Sequence, residues 1–233
     1  MLRTLIEDPV YLLILLPAVI LTLSFHEFAH AFTAVKLGDN TPRITGRYTI
    51  NPLAHLDVFG FLCMLFTGFG WAKPVQVNPR NFKKYKKGMA ITAVAGPLSN
   101  IILSFVCVLL LFILMKFNVF NLYVGKAFFS GADFVTALFT VITSIIYQMA
   151  YLNLYLAVFN LIPVPPLDGS RIVSYMLPGK VAYYYDRYGQ YFQIGLFAVL
   201  MVIMYLDVFN PIAWVADNIF YGFSEFWGLI FGF

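Results

Sequence analysis

The sequence predicts an all-α protein that crosses a membrane several times. Of its 233 residues 61% are hydrophobic and only 11% are charged, whereas a soluble domain carries roughly 25% charged residues. Several apolar runs approach or exceed the ~20 residues that a bilayer-spanning helix needs. We expect about five to six transmembrane helices, a re-entrant segment and a small β-hairpin or strand at the membrane edge. One domain would cover residues 1–233, with its core at about 10–175 and C-terminal helices at about 190–233.

Four apolar runs are predicted as spans, at about residues 10–35, 89–115, 134–162 and 191–206. The final segment, residues 210–233, has sufficient length but is rich in aromatic residues and contains Asp217 and Glu225. Such a segment either crosses the bilayer or lies in its interface.

Two shorter stretches follow the first span. Residues 58–71 are apolar over only about fourteen positions, too few to cross the bilayer, so a re-entrant or interfacial segment is expected. Residues 68–77 contain glycines, a proline and the alternating Val75-Gln76-Val77. This pattern is typical of an extended strand or hairpin.

The first span contains His26-Glu27-Phe28-Ala29-His30. Residues four apart share a helix face, so His26 and His30 would present two imidazoles side by side, half of a zinc site, with Glu27 as a candidate general base. Charged residues inside a membrane helix cost about 2.5–3.5 kcal/mol each. Such a cluster therefore favours a metal site over a chance match.

The basic residues predict the orientation. Nine Lys or Arg lie between Lys36 and Lys87 and three more follow the third span, against three on the opposite side. This bias places residues 36–87 on the cytoplasmic side. His26 lies sixteen residues into the first span, or roughly 24 Å along it. The site is therefore expected inside the bilayer towards the cytoplasmic face, level with Asp168 after the third span.

Catalytic zinc usually has three protein ligands and one open position. Candidates for the third ligand are Asp168, Asp57 and His55. Asp168 is preferred because it follows a proline-rich break and precedes Gly169. His55 and Asp57 are expected to be loop residues or neighbours of the ligands, and both stay open as alternative ligands. Bound zinc lowers the pKa of its water to about 7, and Glu27 could then accept a proton while hydroxide attacks a carbonyl.

Four stretches resemble the site-2 protease (M50) family of intramembrane zinc metalloproteases, in particular its short branch without PDZ or CBS domains. They are His26-Glu27-x-x-His30, Asn160-Leu161-Ile162-Pro163 with Leu167-Asp168-Gly169, Gly96-Pro97 with Asn100, and Gly70-Trp71-Ala72-Lys73-Pro74. One departure is Ser170, which stands where many relatives have a second glycine.

The resemblance implies an intramembrane zinc metalloendopeptidase with one Zn²⁺ per chain. It also implies that Asp168 is the third ligand and that Asn160 contacts the substrate or the developing oxyanion. The partners would be a transmembrane protein substrate, cleaved within or near its transmembrane segment in regulated intramembrane proteolysis, and the lipid bilayer. We expect residues 71–77 to pair with an unwound substrate segment as a strand edge.

The alternatives are a catalytically silent metal-binding membrane protein and a metal transporter. The polar intramembrane residues cluster at one depth and no paired halves are visible, which argues against transport. Nucleic acid is not an expected partner, because the basic residues lie beside apolar segments and no nucleic-acid motif occurs. Two cysteines in apolar surroundings allow neither a disulfide framework nor a cysteine-based zinc ribbon. The oligomeric state stays open.

Overall fold

The computed structural model describes residues 8–67, 70–120, 122, 133–206 and 209–233. In chain order their helices are α1 (Pro9–Lys36), α2 (Thr41–Ile44), α3 (Pro52–His55), α4 (Val58–Thr67), α5 (Tyr85–Lys116), α6 (Phe134–Asn160), α7 (Asp168–Met176), α8 (Gly179–Arg187), α9 (Gly189–Leu206) and α10 (Pro211–Phe231). A short 3-10 turn, Pro79–Asn81, precedes α5. The all-helical part of the fold prediction agrees with these elements.

Three of the described helices, α1, α5 and α6, are long and apolar enough to cross a membrane. They have 28, 32 and 27 residues, or roughly 40–48 Å at 1.5 Å per residue, more than the ~30 Å hydrocarbon core. The chain is therefore an integral membrane protein. The prediction of five to six transmembrane helices is wrong, since only three of the described helices qualify.

The two C-terminal helices account for the overestimate. Helix α9 has 18 residues, slightly fewer than the ~20 residues a span needs. Helix α10 has 21 residues, but Asp217, Asn218 and Glu225 interrupt its apolar sequence. The prediction counted the first of these segments as a span and left the second open, and neither is among the described helices that are long and apolar enough to cross.

The three long helices pack against one another, and α10 covers α5 and α6. Ala18 of α1, Cys107 and Val108 of α5, and Met149 and Ala150 of α6 form a buried cluster at their meeting point. Small side chains at such crossings let membrane helices approach closely. Helix α7 packs on α5, which brings the chain after α6 back to the bundle.

The predicted strand is wrong: no strand occurs among the described residues. Residues 70–78 lack regular structure, and their backbone donors bond elsewhere. The N–H of Lys73 donates to the His55 carbonyl, and the N–H of Val75 donates to the Glu27 carboxylate. These bonds attach the segment to α3 and α1 instead of to a second strand, so the strand edge expected for substrate is not present. Residues 68 and 69 of the predicted stretch lie outside the described part of the chain.

The predicted re-entrant segment at residues 58–71 contains helix α4, which has only 10 residues. At roughly 15 Å in length, it is about half as long as the hydrocarbon core is thick. The expectation that this stretch does not cross the bilayer agrees with that length, and its depth in the membrane stays a prediction.

Asp39 follows α1 and links it by hydrogen bonds to residues 78–81. Its carboxylate, which has no exposed surface, accepts hydrogen bonds from the N–H of Thr41 at 3.0 Å and its hydroxyl at 2.5 Å. It also accepts from the N–H of Asn78 at 2.7 Å and the side-chain amide of Asn81 at 2.6 Å. Burial alone would raise the pKa of Asp39, but these bonds to the ionised form outweigh burial and hold its pKa below the usual value.

Replacing Asp39 with Asn should destabilise the protein by about 1–3 kcal/mol, because one amide oxygen cannot satisfy four buried donors. The depressed pKa means that this stabilisation is present above roughly pH 4, the unfolded value, and is lost as the pH falls through the lower folded pKa. Thermal unfolding of detergent-purified protein at neutral and acidic pH measures both effects. Asp186→Asn, at an exposed carboxylate with a single side-chain hydrogen bond at 3.2 Å, is the control; equal stability of the two variants would contradict the assignment.

Candidate metal centre

Three ligand-type atoms meet between α1 and the start of α7. His26 and His30 lie one turn apart on α1, with their Nε2 atoms 3.0 Å apart. The Oδ2 atom of Asp168 lies 3.2 Å from each of these nitrogens. In tetrahedral zinc coordination with bonds of about 2.0–2.1 Å, neighbouring ligand atoms are about 3.3 Å apart. The triangle therefore matches one face of such a coordination shell to within a few tenths of an ångström.

The tautomers of the two imidazoles follow from their other ring nitrogens. Nδ1 of His26 lies 2.6 Å from the side-chain oxygen of Asn100, and Nδ1 of His30 lies 2.7 Å from the backbone carbonyl oxygen of Thr92. Both oxygens can only accept, so each Nδ1–H donates and each Nε2 directs its lone pair into the triangle. Metal-binding histidines are commonly held in this way.

Asp168 supplies the third electron pair. Its Oδ2 is buried and has no hydrogen-bond donor among the described residues. A buried carboxylate oxygen without a donor is costly unless a positive charge compensates for it. With two imidazole lone pairs facing the same point, the donor set fits a divalent cation such as Zn²⁺.

The chain after α6 explains how Asp168 reaches this position. Helix α6 ends at Asn160, and the prolines at 163, 165 and 166 prevent its continuation. Helix α7 then begins at Asp168. Gly169 is required here, because a Cβ atom would overlap the carbonyl oxygens of Leu161 and Ile162. Ser170 is buried and its hydroxyl donates to the Leu167 carbonyl at 2.7 Å. The turn therefore accommodates a serine at the position where many relatives have a second glycine.

Gly96 of α5 provides the space for the two imidazoles. A Cβ atom at this position would overlap Nε2 and Cε1 of His30 and Cε1 of His26. A glycine therefore lets the backbone of α5 approach the two imidazole rings directly.

Glu27 and Asn160 line the same cavity of about 420 Å³ as the three clustered residues. Glu27 Oε2 accepts a hydrogen bond from the backbone N–H of Val75 at 2.9 Å. The Asn160 side-chain amide donates to the Leu156 carbonyl at 3.0 Å and has a second N–H available in principle. Pro74, Val75 and Val77 form part of the cavity wall.

His55 and Asp57 lie elsewhere. The Nε2–H of buried His55 donates to the Thr49 carbonyl at 2.7 Å, and the Asp57 carboxylate accepts from the N–H of Gly60 at 2.8 Å. Both line a separate cavity of about 50 Å³ beside α1. The structure therefore does not bring either residue to His26 and His30, whereas it does bring Asp168 there.

Sequence reasoning missed Asn153, which lies behind His26 and bonds to Asn100. A signal was present, because Asn153 is a polar residue inside an apolar span and lies seven residues, or two helical turns, before Asn160. The bond between Asn153 and Asn100 forms only when α5 and α6 pack together, which the pattern of one helix does not reveal.

Residues 14–204 match the sequence profile of "Peptidase family M50". The chain belongs to this family. The candidate zinc metalloprotease YwhC of Bacillus subtilis (strain 168) is 40% identical to this M50 peptidase over 175 residues, covering 73% of this chain and 74% of YwhC. The candidate zinc metalloprotease Rip2 of Mycolicibacterium smegmatis is 28% identical over 155 residues, covering 64% of this chain and 52% of Rip2.

The M50 peptidase thus spans most of YwhC but about half the length of Rip2. No solved structure gives a significant match. The family resemblance inferred from the sequence motifs is confirmed, and the three membrane-length helices agree with an integral membrane peptidase.

Substituting Gly96 with Ala should abolish metal binding, because the added methyl group would displace both imidazoles from the triangle. Metal content of the detergent-purified protein measures this. Gly195→Ala in α9, where a Cβ meets no atom within 4 Å, is the matched control and should retain the metal. Full metal content in Gly96→Ala would contradict the geometry of the centre.

Proposed function

We propose that His26, His30 and Asp168 bind a single Zn²⁺ ion and that Glu27 and Asn160 act on the substrate beside it. On this basis the M50 peptidase is an intramembrane zinc metalloprotease that hydrolyses peptide bonds within or near the transmembrane segments of membrane-anchored proteins. The observation that carries the proposal is the convergence of two Nε2 atoms and one buried carboxylate oxygen within 3.2 Å of one another. Family membership supplies the reaction class, and the names of YwhC and Rip2 support zinc as the metal.

When bound, zinc supplies an acidified water and polarises the scissile carbonyl group. The Glu27 carboxylate accepts the proton that this water loses and then delivers it to the leaving nitrogen. Its hydrogen bond from the Val75 N–H fixes one carboxylate oxygen, which keeps the group oriented towards the cavity that it shares with the three ligands. General acid–base catalysis of this kind contributes about 10²–10⁴-fold to the rate.

Asn160 lies at the C-terminal end of α6 and lines the same cavity. One N–H of its amide bonds to the Leu156 carbonyl, which holds the side chain in place. The other N–H is proposed to donate to the substrate carbonyl oxygen as negative charge develops on it. A positioned donor of this type stabilises an oxyanion.

The substrate must present an unpaired peptide bond to the cavity. A transmembrane helix hides its peptide groups in internal hydrogen bonds, so it has to unwind locally before hydrolysis. His26 lies ten residues before the end of α1, or about 15 Å along the helix, and the basic residues after Lys36 favour a cytoplasmic location for that end. We infer cleavage at the cytoplasmic side of the bilayer interior.

Replacing Glu27 with Gln should reduce peptide hydrolysis by about 10²–10⁴-fold and leave the zinc content unchanged, because the amide cannot accept the proton but occupies the same volume. The assay uses vesicles containing the peptidase and tagged single-span proteins with helix-breaking residues near the cytoplasmic end of the span. Glu225→Gln on α10, at an exposed carboxylate, is the control. Undiminished cleavage by Glu27→Gln would refute the assigned base.

A wild-type protein that binds zinc but cleaves none of the test proteins would instead favour the metal-binding alternative. Such a protein would hold a metal at the centre without hydrolysing peptide bonds there.

A further inference from the structure

A chain of buried side-chain amides runs from the α6 backbone to the ligand His26. The Asn153 amide group donates to the Met149 carbonyl at 2.7 Å and to the Thr22 hydroxyl at 2.9 Å. The Asn153 side-chain oxygen accepts from the amide group of Asn100 at 2.5 Å. The Asn100 side-chain oxygen then faces Nδ1 of His26 at 2.6 Å. Both asparagines have no exposed surface.

The donor-to-acceptor direction of these hydrogen bonds is set at the Met149 end. A backbone carbonyl can only accept, so Asn153 must direct its NH₂ group towards Met149 and its oxygen towards Asn100. Asn100 must then direct its NH₂ group towards Asn153 and its oxygen towards His26. An oxygen at that position requires a proton on Nδ1 of His26, which leaves the Nε2 lone pair for the metal.

We propose that the amide orientation of Asn153 sets that of Asn100, and that this relay fixes the metal-binding tautomer and the ring orientation of His26. Asn153 is then a positioning residue for the zinc centre, although it does not touch the proposed ligand sphere. Without Asn153, the amide of Asn100 is free to rotate and to present NH₂ to His26. That would favour the opposite tautomer, in which Nε2 carries the proton and cannot bind the metal.

The bilayer makes such a relay effective. In the absence of competing water, an amide of the wrong orientation leaves two donors or two acceptors facing each other, which is costly in a buried site. His30 needs no relay, because its Nδ1–H donates directly to the backbone carbonyl of Thr92. The two ligand histidines are therefore oriented in different ways, one by the backbone of α5 and one through two side chains.

The inference rests on the zinc site proposed above, and the test measures zinc affinity instead of activity. The dissociation constant of Zn²⁺ is determined by competition with a chelator for the full-length, detergent-purified protein. Asn153→Leu should weaken zinc binding by about 10–100-fold, the usual effect of losing a residue that orients a ligand. Asn153→Asp, which keeps an oxygen towards Asn100, should bind zinc more tightly than Asn153→Leu.

A double-variant comparison distinguishes a relay from general packing. Asn100→Leu should weaken zinc binding to a similar extent, and adding Asn153→Leu to it should cause no further loss, because Asn153 acts only through Asn100. The control is Ser104→Ala, which removes another buried hydrogen bond between α5 and α6, from the Ser104 hydroxyl to the Ala150 carbonyl at 2.7 Å. This variant should lower thermal stability without changing zinc affinity.

Several outcomes would overturn the relay. They are wild-type affinity in Asn153→Leu, additive losses in the double variant, and an equal loss of affinity in Ser104→Ala. If Asn153→Leu does not fold, Asn153→Ala with the same measurement replaces it. A wild-type protein without zinc would refute the proposed function together with the relay, whereas zinc binding that is insensitive to Asn153 would refute the relay alone.

Discussion

Two imidazole nitrogens and a carboxylate oxygen that direct their electron pairs at one buried point are stabilised by a positive charge placed between them. In this peptidase the three atoms lie 3.0–3.2 Å apart, and the Asp168 oxygen has no other donor within the described structure. Burial of this oxygen removes the solvation that it would have in water. Much of the surrounding structure serves to bring these three atoms together.

Helix α5 is the element that makes this arrangement possible. Its Thr92 carbonyl orients His30, its Asn100 side chain orients His26, and Gly96 lies between them where the rings approach its backbone. These positions are spaced four residues apart and therefore share one face of the helix. Helix α7 packs on α5 as well, so the same helix also supports the element that begins with Asp168. One face of α5 thus orients both imidazoles of the centre.

The sequence predicted which residues lie together in the centre better than it predicted the shape of the membrane domain. His26 and His30 follow from a local helical period, and Asp168 could be inferred because a proline-rich break ends a span at the right level. The strand expected at residues 68–77 was wrong because alternating side chains do not reveal where backbone donors bond. Here the N–H groups of Lys73 and Val75 bond to α3 and α1. Asn153 could not be interpreted before its partner on α5 was known. The number of spans was overestimated because α9 is short for a span and polar residues interrupt α10.

The most direct test of this account is the zinc content of the detergent-purified protein and of two aspartate variants, Asp168→Ala and Asp57→Ala. We expect about one zinc per chain in the wild type, in agreement with a single three-residue site. Asp168→Ala should lose most of this zinc, whereas Asp57→Ala, in the neighbouring cavity, should retain it. Full zinc content in Asp168→Ala, or its loss in Asp57→Ala alone, would contradict the proposed centre and move it to the cavity around His55.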